Sequence, residues 1–126
     1  MCSYDEICTQ ICHLSGIRFT AIINKNGRKI SGGFNPRITP LEKDDQKMEM
    51  LFMEIALDLS MRKEFDNSLG IINAIVSYRD RVNIITIPYR DNLILISAEP
   101  ELEPSKIINI VSDTIKSSKV MEVIVH

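Results

Sequence analysis

A chain of 126 residues, 44% apolar and 25% charged, has the balance of one soluble domain with a core of its own. Its formal net charge of -2 lacks the basic excess of a dedicated nucleic-acid binder, and no apolar run approaches the roughly 20 residues that cross a bilayer. The start, Met1-Cys2-Ser3-Tyr4-Asp5-Glu6, has neither the basic nor the apolar region of a signal peptide, so a cytoplasmic protein is expected.

The first element is a short helix over Tyr4–Leu14, with Ile7, Cys8, Ile11, Cys12 and Leu14 on its apolar side and Ser15-Gly16 ending it. Ile17–Asn24 follows as a strand. Its Phe19-Thr20-Ala21-Ile22-Ile23 is apolar almost throughout, which calls for cover on both faces. Asn24–Arg28 is a turn in which Asn26-Gly27 can supply positive φ angles. Lys29–Gly33, short and polar, suits a sheet edge. Phe34–Ile38 is a loop.

A long central helix is expected from Pro40 to Arg62. Thr39 can cap it, Pro40 suits its first position, and Glu42 completes a Thr-x-x-Glu capping box. At roughly 100° per residue, Met48, Leu51, Phe52, Ile55, Ala56 and Leu59 fall on one face. Met50, Met53, Leu57 and Met61 fall on the opposite face, with Glu49, Glu54 and Asp58 between. A surface helix ordinarily carries one apolar stripe. Two stripes ask for two covers, one from the domain and one from a second copy of the chain, unless a loop or the chain's own tail supplies it. Thioether side chains suit such adaptable contacts.

Lys63–Gly70 is polar and turn-rich. Three strands follow at hairpin spacing: Ile71–Tyr78, Val82–Ile87, closed by Pro88, and Leu93–Ala98. Glu99–Pro104 is an acidic linker. Ser105 caps a last helix whose Ile107, Ile108, Ile110, Val111 and Ile115 share a face. The fold class is therefore α+β, a five-stranded antiparallel sheet between helices in the order α-β-β-α-β-β-β-α. The long helix covers one sheet face, and the first and last helices share the other. Residues 1–118 form one domain, and 119–126 are an extension, either a strand or a docked tail.

The candidate chemistry is thin. Cys8, Cys12 and His13 offer thiols one helical turn apart. No second ligand pair accompanies them, so core packing is the better reading and no metal site is assigned. With Cys2 the cysteine count is three, odd and confined to the first twelve residues, which does not describe a disulfide framework. Asn24–Arg28 and Gly32-Gly33 are turn glycines rather than a phosphate-binding loop. Glu42–Lys47 is a mixed-sign run on the first helical turns, suited to a solvated face. Arg79, Asp80 and Arg81, with Arg90 and Asp91, sit at two turns expected at opposite sheet ends; they could meet an acidic partner, and solubilising turns are the better reading. No nucleophile-base set and no glycine-rich cofactor fingerprint appears. No enzyme activity and no cofactor is expected.

The element order, with a long helix ahead of a three-strand meander, resembles the roadblock (dynein light-chain) family of profilin-like folds over roughly Tyr4–Lys116. The chain is also similar to an uncharacterised roadblock-like family of archaea. The roadblock resemblance implies a homodimer in which the central helices of two subunits pack together and the following strands pair across the interface. On this chain those places are Met50, Met53, Leu57 and Met61 on the helix and Ile71, Asn73, Ile75 and Ser77 on the strand. It implies a non-enzymatic scaffold or regulator, a platform for a small GTPase or a signalling complex, with no nucleic-acid or membrane partner. The alternative is a small-molecule-sensing module of PAS or GAF type, which holds its ligand between sheet and helices.

Overall fold

The computed structural model describes residues 3–125, with side chains described as far as 116. In chain order the elements are α1 (Tyr4–Cys12), β1 (Ile17–Ile23), β2 (Lys29–Phe34), α2 (Asp45–Arg62), a single 3-10 turn (Lys63–Phe65), α3 (Asp66–Leu69), β3 (Ile75–Tyr78), β4 (Asn83–Tyr89), β5 (Asn92–Ala98) and α4 (Pro104–Val125). The strands form one antiparallel sheet in the order β2-β1-β5-β4-β3. The three inner strands, β1, β5 and β4, are thus the doubly covered ones. That is what their near-continuous apolar sequence demands.

Strand alternation divides the core into two layers. Phe19, Ala21 and Ile23 of β1 and Leu93 and Leu95 of β5 face α2 and meet its Phe52, Ala56 and Leu59. Ile22, Ile94 and Ile96 face the other way, with Ile85 and Ile87 of β4, and meet Ile7 and Ile11 of α1 and Ile107 and Val111 of α4. The long helix covers one face and the first and last helices share the other, as the sequence implies.

Several boundaries differ from expectation. The capping box at Thr39 does not form. Instead α2 starts at Asp45, because Asp44 Oδ1 accepts the backbone N–H of Gln46 at 2.9 Å and that of Lys47 at 3.4 Å. Residues 39–44 are drawn across the end of the sheet as a loop. The Arg18 guanidinium holds them there, donating through Nη2 to the Thr39 carbonyl at 2.8 Å and through Nη1 to Glu99 Oε1 at 2.8 Å.

The β1–β2 turn is not a two-residue hairpin with both central φ angles positive. Gly27 alone has φ +81, and the Asn24 side chain takes over the ordering, accepting from the backbone N–H groups of Asn26 and Arg28. Lys63–Gly70 is helical rather than a polar turn, ending at Gly70 with φ 86 and ψ 166. The strand expected over Ile71–Tyr78 is ordered as a ladder from Ile75 onward only. Pro88 does not close β4, which runs on to Tyr89. β3 ends opposite Thr86, so at Pro88 the strand has no neighbour on that side and the missing N–H disturbs no inner ladder. The last helix begins at Pro104, ahead of Ser105, and continues through residues 119–125. A strand there is therefore not what forms, and His126 lies outside the described residues.

Candidate functional site: the outward face of the central helix

The inward stripe of α2 is set by the sheet. Phe52, Ala56 and Leu59 are buried, and Met48, Leu51 and Ile55 are half-buried around them. The opposite stripe is left largely uncovered among the described residues, with Gly27 of the β1–β2 turn resting against Met53. Met50 and Met53 are each 58% exposed, Leu57 62% and Met61 59%. The acidic residues between the stripes remain in solvent, and Asp58 receives Arg62 Nε at 3.0 Å, an exposed pair one turn apart.

This apolar face is longer than the sequence reading anticipated. Phe65 and Leu69, at 58% and 81% exposure, continue it beyond the end of α2, and Ile71, at 76%, follows. The signal was present in the chain. Met53, Leu57, Met61, Phe65 and Leu69 recur every four residues, the spacing of one helix face, and the polar residues around Phe65 concealed it.

Of the strand positions expected at an interface, Ile75 and Ser77 lie on β3, and Ile71 and Asn73 precede it in irregular chain. Ile75 is half-buried and packs, with Ile72, against the α2 layer of the core. Ser77 and Asn73 are exposed. β3 forms one edge of the sheet, so its outer ladder groups are open to another strand. Ile72 and Ile75 thereby tie this edge to the inward, core side of α2.

The cysteines behave as packing groups. Cys8 is 3% exposed within the core shared by α1 and α4, and burial pushes its thiol above the ordinary value of 9.0. Cys12 is half-buried with its Sγ 3.9 Å from the Gly33 carbonyl, and His13 is exposed. Among the described residues no group of three or more His, Cys, Asp or Glu is disposed to hold a metal ion, and no helix is long and apolar enough to cross a membrane.

A cavity of ≈ 740 Å³ opens between the N-terminal half of α2 and the sheet, beside the β3–β4 turn. Its floor is apolar, with Phe19, Ile84 and Leu95 from the strands and Met48 and Leu51 from the helix. Arg79 and Arg81, from the turn, and Lys47, from the first turn of α2, stand at its rim. The turn is closed by the Arg79 N–H donating to the Val82 carbonyl at 3.1 Å.

A model of a family described as a family of unknown function, DUF6659, matches residues 1–119. No curated protein matches. Among solved structures, a roadblock/LC7 domain from Streptomyces avermitilis is similar over 97% of this chain and 99% of its own, at 9% identity and a TM-score of 0.69. MglB in a tetrameric arrangement is similar over 86% of this chain and 79% of its own, at 11% identity and a TM-score of 0.69. Profilin II of Acanthamoeba castellanii is similar over 93% and 99%, at 8% identity and a TM-score of 0.60. At such identities the likeness is one of fold, and that fold is the roadblock and profilin architecture.

Proposed function

We propose, for a chain that belongs to the DUF6659 family, a non-enzymatic role: a self-associating scaffold or regulatory protein that presents a platform to a protein partner. The observation that carries this reading is the uncovered stripe of Met50, Met53, Leu57 and Met61 and its continuation through Phe65 and Leu69. Contiguous apolar surface of this length is uncommon on a monomer. Burying such a side chain fully is worth about 1.5–3 kcal/mol, so even partial burial of six on each subunit is a large driving force for association. The occupant is a second copy. The stripe is flanked by the open edge of β3, and a like edge is the simplest partner for it. The roadblock-like fold supports the same arrangement, and a small GTPase or signalling component is the kind of partner that the resemblance suggests.

The test is the state of association. Sedimentation at micromolar concentration should give a dimer. Met53→Glu combined with Leu57→Glu should give a folded monomer, because the dimer would bury unpaired carboxylates. A monomeric parent protein would remove the basis of the proposal.

A second reading, a small-molecule-sensing module of PAS or GAF type, draws support from the cavity beneath α2, whose volume suits a small ligand.

A further inference from the structure

We propose that the cavity between α2 and the sheet is a binding site for an organic acid: an apolar body that lies on the sheet, with one anionic head held at the rim. It rests on the ligand-binding reading of this same cavity and is separate from self-association, which uses the outward face of α2 and the edge of β3.

The cavity exists because of how α2 begins. Had the helix started at Pro40, its first turn would extend along this end of the sheet. Asp44 caps it later, and residues 39–44 are tied aside by Arg18. Phe19, 4% exposed, lies at the back of the cavity packed against Phe34 and Phe52, and Leu95 is likewise buried at 2%; the accessible apolar walls are the half-buried Met48, Leu51 and Ile84. Leu41, in the displaced loop, is 51% exposed at the mouth. Apolar walls of this kind take up hydrocarbon or aromatic surface.

The rim supplies the charge preference. Arg18 is already committed to Glu99 and the Thr39 carbonyl. Lys47, Arg79 and Arg81 line the cavity, and among the described residues their side chains have no hydrogen-bond or ion-pair partner. Two carboxylates share the rim. Glu42 is engaged through Oε2 with the Asp44 N–H at 3.3 Å, and Asp80 lies between the two arginines in the turn. The free groups are therefore mainly cationic in a protein whose formal net charge is -2. Guanidinium forks at the mouth of an apolar slot select an acid over its neutral counterpart.

Fluorescence titration with 1-anilinonaphthalene-8-sulfonate, itself an apolar ring system bearing an anion, tests the site, with dodecanoate and dodecanol as competitors. Dodecanoate should displace the probe at about tenfold lower concentration than dodecanol, the advantage of a charge-assisted contact. In Arg79→Ala/Arg81→Ala that advantage should vanish while the circular dichroism spectrum is unchanged, since both residues are exposed turn positions. Leu51→Trp, which fills the slot, should abolish displaceable binding. Met53→Glu/Leu57→Glu, which alters the outward stripe and the state of association, should keep the parent's preference for dodecanoate over dodecanol. Equal displacement by acid and alcohol overturns the proposal, as does binding that survives Leu51→Trp or a preference that is lost in Met53→Glu/Leu57→Glu. Sedimentation of the same samples reports self-association separately, so either idea can fail alone.

Discussion

Gly27 lies against Met53. A Cβ placed on Gly27 would come within 2.5 Å of Met53 Cα and 2.9 Å of its Cγ. The β1–β2 turn therefore rests directly on the backbone of α2 at mid-helix, and it borders the outward methionine stripe. Glycine is required there twice over, for its φ of +81 and for the close approach.

Gly27→Ala should therefore destabilise the fold by about 2–4 kcal/mol, from left-handed strain together with displacement of the helix. Gly33→Ala is the comparison. Gly33 has no positive φ, and a Cβ there would meet no atom nearer than Lys29 Nζ at 3.9 Å. That change should be close to neutral, or stabilising by a few tenths of a kcal/mol. Urea denaturation of the two variants decides it, and equal losses would show that the contact on α2 is not tight.

The cap of α2 can be located by a pair of substitutions. Asp44→Ala should cost about 1 kcal/mol, because two backbone N–H groups lose their acceptor. Thr39→Ala should cost little, since it is the Thr39 carbonyl, not its hydroxyl, that Arg18 engages. The reverse order of effects in thermal melts would restore the helix start to Pro40.

Thr20 carries the next prediction. It is fully buried on β1, and among the described residues its hydroxyl has no hydrogen-bond partner. An unpaired hydroxyl in such a place is unfavourable, so Thr20→Val should be neutral or should stabilise by about 1 kcal/mol. A loss of that size on denaturation would reveal a partner for the hydroxyl.

The thiols should differ in reactivity and in pH behaviour. Cys8 is buried, with a pKa raised by that burial, and should alkylate at least about tenfold more slowly than half-buried Cys12 near neutral pH. Peptide mapping after timed exposure to iodoacetamide reads both sites. The folded protein holds the Cys8 proton more tightly than the unfolded chain does. Its contribution is therefore complete below the ordinary value of 9.0 that the unfolded chain keeps, and is lost as pH rises through the folded one. Between pH 7 and 10 the parent should lose more stability than Cys8→Ala; parallel curves would contradict the shift.

Much of this architecture is legible in the chain, and the exceptions have physical reasons. Apolar runs such as Phe19–Ile23 and Leu93–Ile96 mark buried strands because both of their faces are covered, and the two stripes of α2 are visible in its period. The helix start is not fixed by local pattern because two acceptors compete there. Thr39 and Asp44 both suit a cap, and the decision falls to Arg18, a long-range partner that periodicity does not reveal. Pro88 reads as a strand end until the neighbouring strand is known to stop opposite Thr86. The cavity and its rim were not legible at all. Arg79 and Arg81 are an ordinary solvated turn in the sequence, and only the topology brings them beside Lys47 from another element.

The two edges of the sheet are chemically unlike. β2 carries Lys29 and, at Gly32, a backbone φ of +92 that departs from a flat strand, whereas β3 is plain from Ile75 to Tyr78. Lysine and distortion along a rim discourage further strands from adding. In the self-association proposed above, growth through the plain margin would use it up and leave only guarded borders at either extremity, which would stop the assembly at a pair instead of a polymer.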